Sequence, residues 1–292
     1  MTSQTKSNWR DYLKLYRNNR NFNAKQWSKN KVTKFNNYLK DNNLSGAVLA
    51  LSGGVDSAVT LALLKKTMEL ECSNLKKILV LSQPIHSSKW AYNRAKELCD
   101  KYGLKLTVID QTDIYNNLIK KIKKNTGIKT NKFSGGQLRS YMRTPVNYYC
   151  AQLLTSQNYP ALVVGTGNMD EDGYLAYFCK AGDGVVDIQL ISDLHKSEVF
   201  LVGKYLDVTD RILNAKPSAD LWENQEDEVE LGFPYDFIEF FTGVYLKMNE
   251  NEKKQLFLNL DEGSREEFLD FSEKCLKIHN RNKHKLNGII NI

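Results

Sequence analysis

Six consecutive residues, Ser52-Gly53-Gly54-Val55-Asp56-Ser57, place two glycines, two hydroxyls and one carboxylate directly after an apolar run. Glycines let backbone amides approach an anion with no Cβ in the way. Amides at the start of a following helix are unpaired donors with partial positive charge. Ser52 and Ser57 add hydroxyl donors, so the segment reads as a phosphate cradle. A glycine turn with Asp56 or Ser57 capping a helix explains any one of these residues, but not the whole run. The GxxxxGK[ST] loop is absent, because Lys65 comes too late to reach a β/γ-phosphate, and GxGxxG is absent too. A second candidate is GTGNMDEDGYLAYFCKAGDGVVD at 165–187, where Asp170, Glu171 and Asp172 follow another glycine turn. Alone, three adjacent acids fit a hard cation or a solvated loop equally well. Beside a phosphate cradle they favour Mg2+, which takes one or two carboxylates plus phosphate oxygens. Asp56 and Glu171 would supply one each.

These loops need a frame that brings them together. Four short apolar runs, Ala47–Leu51, Ile78–Leu81, Leu104–Ile109 and Ala161–Val164, read as buried parallel strands. Helical patterns lie between them. Ala58, Leu61, Ala62 and Leu64 form one core-facing stripe; Ala91, Ala95, Leu98, Cys99 and Tyr102 form another, ended by Gly103; Ile114, Leu118 and Ile122 form a third. Alternating strands and helices predict an α/β fold whose parallel sheet has right-handed crossovers. Ligands on such sheets sit at the carboxyl ends of the strands, so the loops at 52–57, 82–88, 110–113 and 165–173 face one crevice. Helical additions are expected at both ends. They carry Trp9, Tyr12, Leu13 and Tyr16 at the start and the aromatic stretch after Pro234 at the end. These aromatics are read as core or subunit contact rather than ligand site.

Composition narrows the function classes. The 292 residues suit one α/β domain over 1–292, since no Pro/Gly/Ser-rich linker divides them. The net charge of +7 suits a polyanionic substrate or a merely soluble surface. The Lys-rich stretch 116–132 lacks interleaved aromatics, so no nucleic-acid partner is expected. The five cysteines, Cys72, Cys99, Cys150, Cys179 and Cys275, form no CxxC pair, which argues against zinc, iron–sulfur and disulfide frameworks. The polar N-terminus and the lack of a long apolar run predict a cytoplasmic protein with no membrane contact.

SGGVDS resembles the SGGxDS pyrophosphate loop of the ATP pyrophosphatases, which cleave ATP between its α- and β-phosphates. The 165–187 block is similar to the GTxNxxE…GYFTKxGDGxxD pattern of the ammonia-dependent NAD synthetases within that group. SDLHKSEV at 192–199, KPSADLWENQEDEVELGF at 216–233, NKHKLNG at 282–288 and QLRSYMR at 137–143 continue the resemblance in the family's order. It implies a Rossmann-like sheet of the adenine nucleotide alpha hydrolase kind. ATP, the co-substrate, would be held by Ala50, Leu51, Ser52, Gly53, Gly54, Val55, Asp56, Ser57, Thr166, Lys196 and Ser218. Asp56 and Lys196 would serve catalysis. Mg2+ would be held by Asp56 and Glu171. One extra residue before Tyr177-Phe178 makes Asp172 the second choice for Glu171. Arg139, Lys180, Asp187, His284 and Lys285 would bind deamido-NAD. Tyr141 stands where the family often has a second arginine, and SQPIHSS after the second strand offers no assigned adenine contact. His195, beside Lys196, reads as structural.

The resemblance implies a ligase that adenylates the nicotinic acid carboxylate of deamido-NAD and then aminates it, giving NAD, AMP and pyrophosphate. It also implies a homodimer. About 46 residues precede the first expected strand, fewer than the ~100–150 of a typical domain, so no amidase domain is expected and ammonia is the nitrogen source. Two alternatives stay open: another enzyme of the same loop group, such as a tRNA-modifying enzyme, and a non-enzymatic nucleotide-binding module.

Overall fold

The structure is a computed structural model and describes residues 6–218 and 226–291. Residues 219–225 of the KPSADLWENQEDEVELGF block fall outside the described residues. The sheet is built from β1 (Gly46–Ala50), β2 (Lys77–Ser82), β3 (Leu106–Val108), β4 (Ala161–Gly165) and β5 (Ile188–Gln189). The strands are parallel in the order β3-β2-β1-β4-β5, with Val48 of β1 opposite Leu79 of β2 and Val163 of β4. The expected α/β class and parallel sheet are both present. The third strand is shorter than the apolar run 104–109 suggests, because β3 is an edge strand that pairs only through Leu106, Thr107 and Val108.

Successive strand residues point to opposite faces, and both faces are covered. Ala47 and Leu49 of β1, Val80 of β2 and Leu162 and Val164 of β4 face a core shared with α3 (Val55–Met68) and α4 (Lys89–Lys101). Val48, Leu81 and Val163 face the opposite way, against Cys150, Ala151 and Leu154 of α6 (Lys132–Ser156). The α3 helix is buried on nearly every side, including Val59, Thr60 and Leu63 outside the expected stripe. Its outer surface is covered by Val32, Phe35 and Leu39 of α2 (Ala24–Asp41) and by Val199 and Val202 of α7 (Lys196–Tyr205). The third expected stripe differs. In α5 (Thr112–Thr126) Ile114 is 61% and Ile122 44% exposed, and Tyr115 is the buried residue. Beside the short edge strand α5 has little sheet to cover, and it leans on α6 instead.

A second core joins the two ends of the chain. After two short helices, α8 (Asp210–Leu213) and α9 (Asp227–Leu231), come the helices of this lobe: Trp9 and Leu13 of α1 (Trp9–Arg20) pack against Phe237, Phe240 and Phe241 of α10 (Tyr235–Gly243), Leu256 of α11 (Glu250–Asn259) and Phe268 of α12 (Glu262–Asn282). Trp9 meets Phe237 edge-on, 5.4 Å between ring centres, and donates its indole N–H to Glu267 at 2.9 Å. Ser7 pairs with Leu260 in a parallel bridge. The aromatic residues at both ends are therefore core. This lobe reaches the sheet's functional edge, because Leu175 belongs to it and Tyr174 stacks on His279 at 4.1 Å. Phe237→Ala removes the ring at its centre and is expected to cost about 3–5 kcal/mol. Thermal or denaturant unfolding checks this, and a loss under about 1 kcal/mol would contradict the packing described.

Candidate active site

The carboxyl ends of β1, β2 and β4 open on one crevice of about 1070 Å3. Its floor is the 52–57 loop. Gly53 has φ +82°, and a Cβ there would sit 2.4 Å from the Ala91 carbonyl oxygen, so the loop lies against the start of α4 where only glycine fits. The two serines also hold the loop's shape: Ser57 Oγ donates to the Gly54 carbonyl at 3.1 Å, Ser52 N–H donates to Ser57 Oγ at 3.2 Å and Gly54 N–H to Ser52 Oγ at 3.2 Å. Gly54 caps α3 without a side-chain hydrogen bond, so the first-turn amides of α3 remain available to an anion.

Three charged side chains meet above that loop. Lys196 Nζ donates to Asp56 Oδ2 at 2.6 Å and to Glu171 Oε1 at 2.7 Å. Its side chain is 4% exposed, against 19% for each carboxylate. Lys196 opens α7, and Glu171 lies in a π-helical turn, Met169–Tyr174, that follows β4. Asn168 organises this turn: its Oδ1 accepts from the amides of Asp170 and Glu171 at 3.0 Å, and its Nδ2 donates to Asp56 Oδ1 at 3.0 Å. Tyr235 Oη donates to Glu171 Oε1 at 2.6 Å. Burial pushes the Asp56 carboxyl above its ordinary range despite Lys196. Burial acts on Glu171 as well, but there Lys196 and the hydrogen bonds of Tyr235 and Asn168 prevail and hold it low. Burial would lower the Lys196 ammonium, but the two carboxylates outweigh it and raise its pKa, so it stays charged.

This donor set fits Mg2+. Asp56 and Glu171 already converge on one positive charge, and both are hard oxygen donors. Among the described residues no group of three His, Cys, Asp or Glu side chains could hold a metal, so at most two of the described carboxylates would serve it. The other positions would fall to water and phosphate, the usual Mg2+ arrangement. Asp172 turns away: its Oδ2 accepts from Gln189 Nε2 at 3.1 Å and packs against Gly167, so Glu171 is the acid next to Asp56.

Ala50, Leu51, Ser52, Gly54, Val55, Asp56, Ser57, Thr166, Lys196 and Ser218 line the crevice, and His284 and Lys285 line it too. Lys285 donates to the carbonyls of Ala176 and Phe178 at 3.1 and 2.7 Å. The structure does not bring Arg139, Lys180 or Asp187 into the crevice. The Arg139 guanidinium lies 5.5 Å over the Tyr115 ring. Lys180 donates to the Asn287 carbonyl at 2.8 Å. Asp187 accepts from Val163 N–H at 2.7 Å and Tyr148 Oη at 3.2 Å, on the α6 flank. Arg143, one helical turn after Arg139, lines the crevice instead and donates from Nε to the Gln83 carbonyl at 3.3 Å. Sequence reasoning missed Asn168, Tyr235 and Arg143. For Arg143 the i+4 spacing from Arg139 was the available signal. Burial pushes the Cys99 and Cys179 thiols up to about 11 and Cys275 up to about 12, so none is a ready thiolate.

The arrangement can hold a polyphosphate and neutralise charge on a departing anion. Asn168→Asp would set a carboxylate where Asp56 now receives an amide donor. It is expected to cost about 1–3 kcal/mol of stability and most of the turnover, with Asn168→Ala milder on both counts. Melting temperatures and rates check this, and equal effects would contradict the donor role.

Residues 28–287 match the profile of the NAD synthase family. The NH3-dependent NAD+ synthetase of Carboxydothermus hydrogenoformans is 35% identical over 215 residues, 72% of this chain and 84% of that protein. Among solved structures, the NMN synthetase of Francisella tularensis superposes with a TM-score of 0.74 and 29% identity, covering 93% of this chain and 99% of that one. The NH3-dependent NAD synthetase of Campylobacter jejuni shares the fold, with a TM-score of 0.70 and 21% identity over 93% of this chain and 99% of that one.

Proposed function

Because this chain belongs to the NAD synthase family, we propose that it is an ammonia-dependent ligase that converts deamido-NAD and ATP to NAD, AMP and pyrophosphate. The observation that carries this reading is the meeting of the SGGVDS loop, Lys196 and Glu171 in one crevice at the carboxyl edge of the sheet. A carboxylate resists ammonia because oxide is a poor leaving group. The nicotinic acid carboxylate therefore first attacks the α-phosphorus of ATP, and pyrophosphate leaves. The protein's part is to align the reactants and to stabilise developing negative charge with fixed donors. The amides of 52–57 and the Lys196 ammonium face the departing pyrophosphate, and Thr166 and Ser218 line the ATP side. Mg2+ held by Asp56 and Glu171 would add Lewis-acid neutralisation of the phosphates. Ammonia then attacks the acyl-adenylate, and AMP leaves.

His284, Lys285 and Arg143 are assigned to the pyridine nucleotide. Arg139, Lys180 and Asp187, outside the crevice, are assigned to the same nucleotide only where a second copy would complete the surface. That copy is assigned to the exposed stripe Tyr141, Tyr149 and Leu153 of α6, 39%, 65% and 43% exposed. Tyr149→Glu is then expected to halve the particle mass in light scattering; an unchanged mass, or a monomeric parent protein, contradicts this dimer. The reaction is placed in the reducing cytoplasm, in keeping with five free thiols.

A second reading is favoured by the likeness to the NMN synthetase of F. tularensis. The acid amidated would then be the mononucleotide, with the same carboxylate and the same chemistry. Incubation with ATP, Mg2+, ammonium and either acid separates the two. Deamido-NAD is expected to show the larger kcat/KM, with AMP equal to the amide formed. A larger value for the mononucleotide selects the second reading, and no amide from either acid sinks both. At fixed, subsaturating total ammonium the rate is expected to rise with pH, because neutral ammonia is the nucleophile. A flat profile contradicts attack by free ammonia as the limiting step.

A further inference from the structure

The two loops that carry Glu171 and Lys196 are also joined one residue upstream of each, by groups that do not face the crevice. Asp170 and His195 side chains are 1% exposed or less. Asp170 Oδ1 accepts from His195 Nδ1–H at 2.7 Å, and Asp170 Oδ2 accepts from the Lys196 backbone N–H at 2.7 Å. One carboxylate therefore clasps both the ring before Lys196 and the first amide of α7. Met169 N–H donates to the Leu194 carbonyl at 2.9 Å and closes the same seam. The far side of the ring meets α1: Tyr16 Oη lies 3.0 Å from His195 Nε2, with the two rings edge to face at 5.8 Å. Around it, Arg20 of α1 pairs with Glu198 and Arg17 with Glu239, while Glu198 Oε2 accepts from His195 N–H at 3.1 Å.

We infer that Tyr16, His195 and Asp170 form a positioning chain that sets the spacing between the Lys196 ammonium and the Glu171 carboxylate. Glu171 follows Asp170 and Lys196 follows His195, so any slip of the Asp170–His195 contact moves both charged groups relative to each other. A fully buried carboxylate is costly unless paired and hydrogen-bonded, and here both of its oxygens are used to lock two loops rather than to fill a core. The Nδ1 bond to Asp170 is the positioning bond. The Nε2 contact to Tyr16 holds the ring's far edge and ties the N-terminal helix to the site. All three residues lie outside the groups that face phosphate, so their effect on the reaction passes through Glu171 and Lys196. The inference rests on the ligase reading for its rate measurement, but not for its binding measurement.

The test separates the two ring nitrogens. His195→Asn keeps an amide N–H near the position of Nδ1, and His195→Gln keeps one near Nε2. Each variant, with Tyr16→Phe as a milder third, is compared with the parent in kcat, KM for MgATP, MgATP affinity by calorimetry, and melting temperature. His195→Asn is expected to retain most of the turnover and affinity. His195→Gln is expected to lose about tenfold in kcat/KM, the size of one hydrogen bond to a charged group, with weaker MgATP binding. Tyr16→Phe is expected to lose only about twofold to threefold, on the same scale. Losses that simply follow melting temperature, or His195→Gln equal to or better than His195→Asn, overturn the inference. If the parent forms no amide, the ligase reading fails, and the order of MgATP affinities still decides the positioning chain.

Discussion

A single buried ammonium ties together three stretches of chain that are far apart in sequence. Lys196 Nζ holds Asp56 from the first turn of α3, after β1, and Glu171 from the π-helical turn after β4. Ion pairs this enclosed are costly to assemble, because each charge gives up water, and they persist only where geometry and extra hydrogen bonds compensate. Asn168 and Tyr235 supply those extra bonds. The remaining architecture serves this point: the parallel sheet delivers the two carboxylates to one edge, and α7 begins where its first residue can reach both.

The electrostatics explain why such a cluster suits a polyphosphate. Two carboxylates and one ammonium leave one net negative charge beside the loop amides. On its own that would repel phosphate. A hard dication shared by the carboxylates would reverse the sign, while the ammonium and the α3 amides are already aimed at the crevice. Such a site would suit an anion that arrives with a cation, as nucleoside triphosphates do. The different responses of the two acids follow from their surroundings. Glu171 gains three donors and stays ionised easily, whereas burial prevails at Asp56.

Much of this was legible in the linear chain. The 52–57 loop could be read because its chemistry is local: glycines, hydroxyls and an acid in consecutive positions after a strand. The strands could be read because buried parallel strands are short, continuous apolar runs. The signals failed where neighbours decide. Ile114 and Ile122 have helical spacing, yet an edge strand of three residues offers them nothing to cover. The two residues of β5 are too few for any period. Arg139 and Arg143 share one helix face, and which of them meets the crevice depends on how α6 crosses the sheet. Asn168 and Tyr235 act on partners 112 and 64 residues away, so spacing carries no trace of their roles.

The N-terminal helix is the least obvious part of the design. Its aromatic face could have served only to complete a core with the C-terminal helices, and Trp9 does so. The last turns of the same helix, however, present Tyr16 and Arg20 to the start of α7 and Arg17 to α10. Interiors packed at crystal-like density transmit displacement instead of absorbing it. A helix that is locked to the aromatic lobe by its first turns and to His195 and Glu198 by its last therefore acts as a brace. Through it, the packing of the two chain ends bears on the distance between two charged groups in the crevice, although neither end supplies either of them.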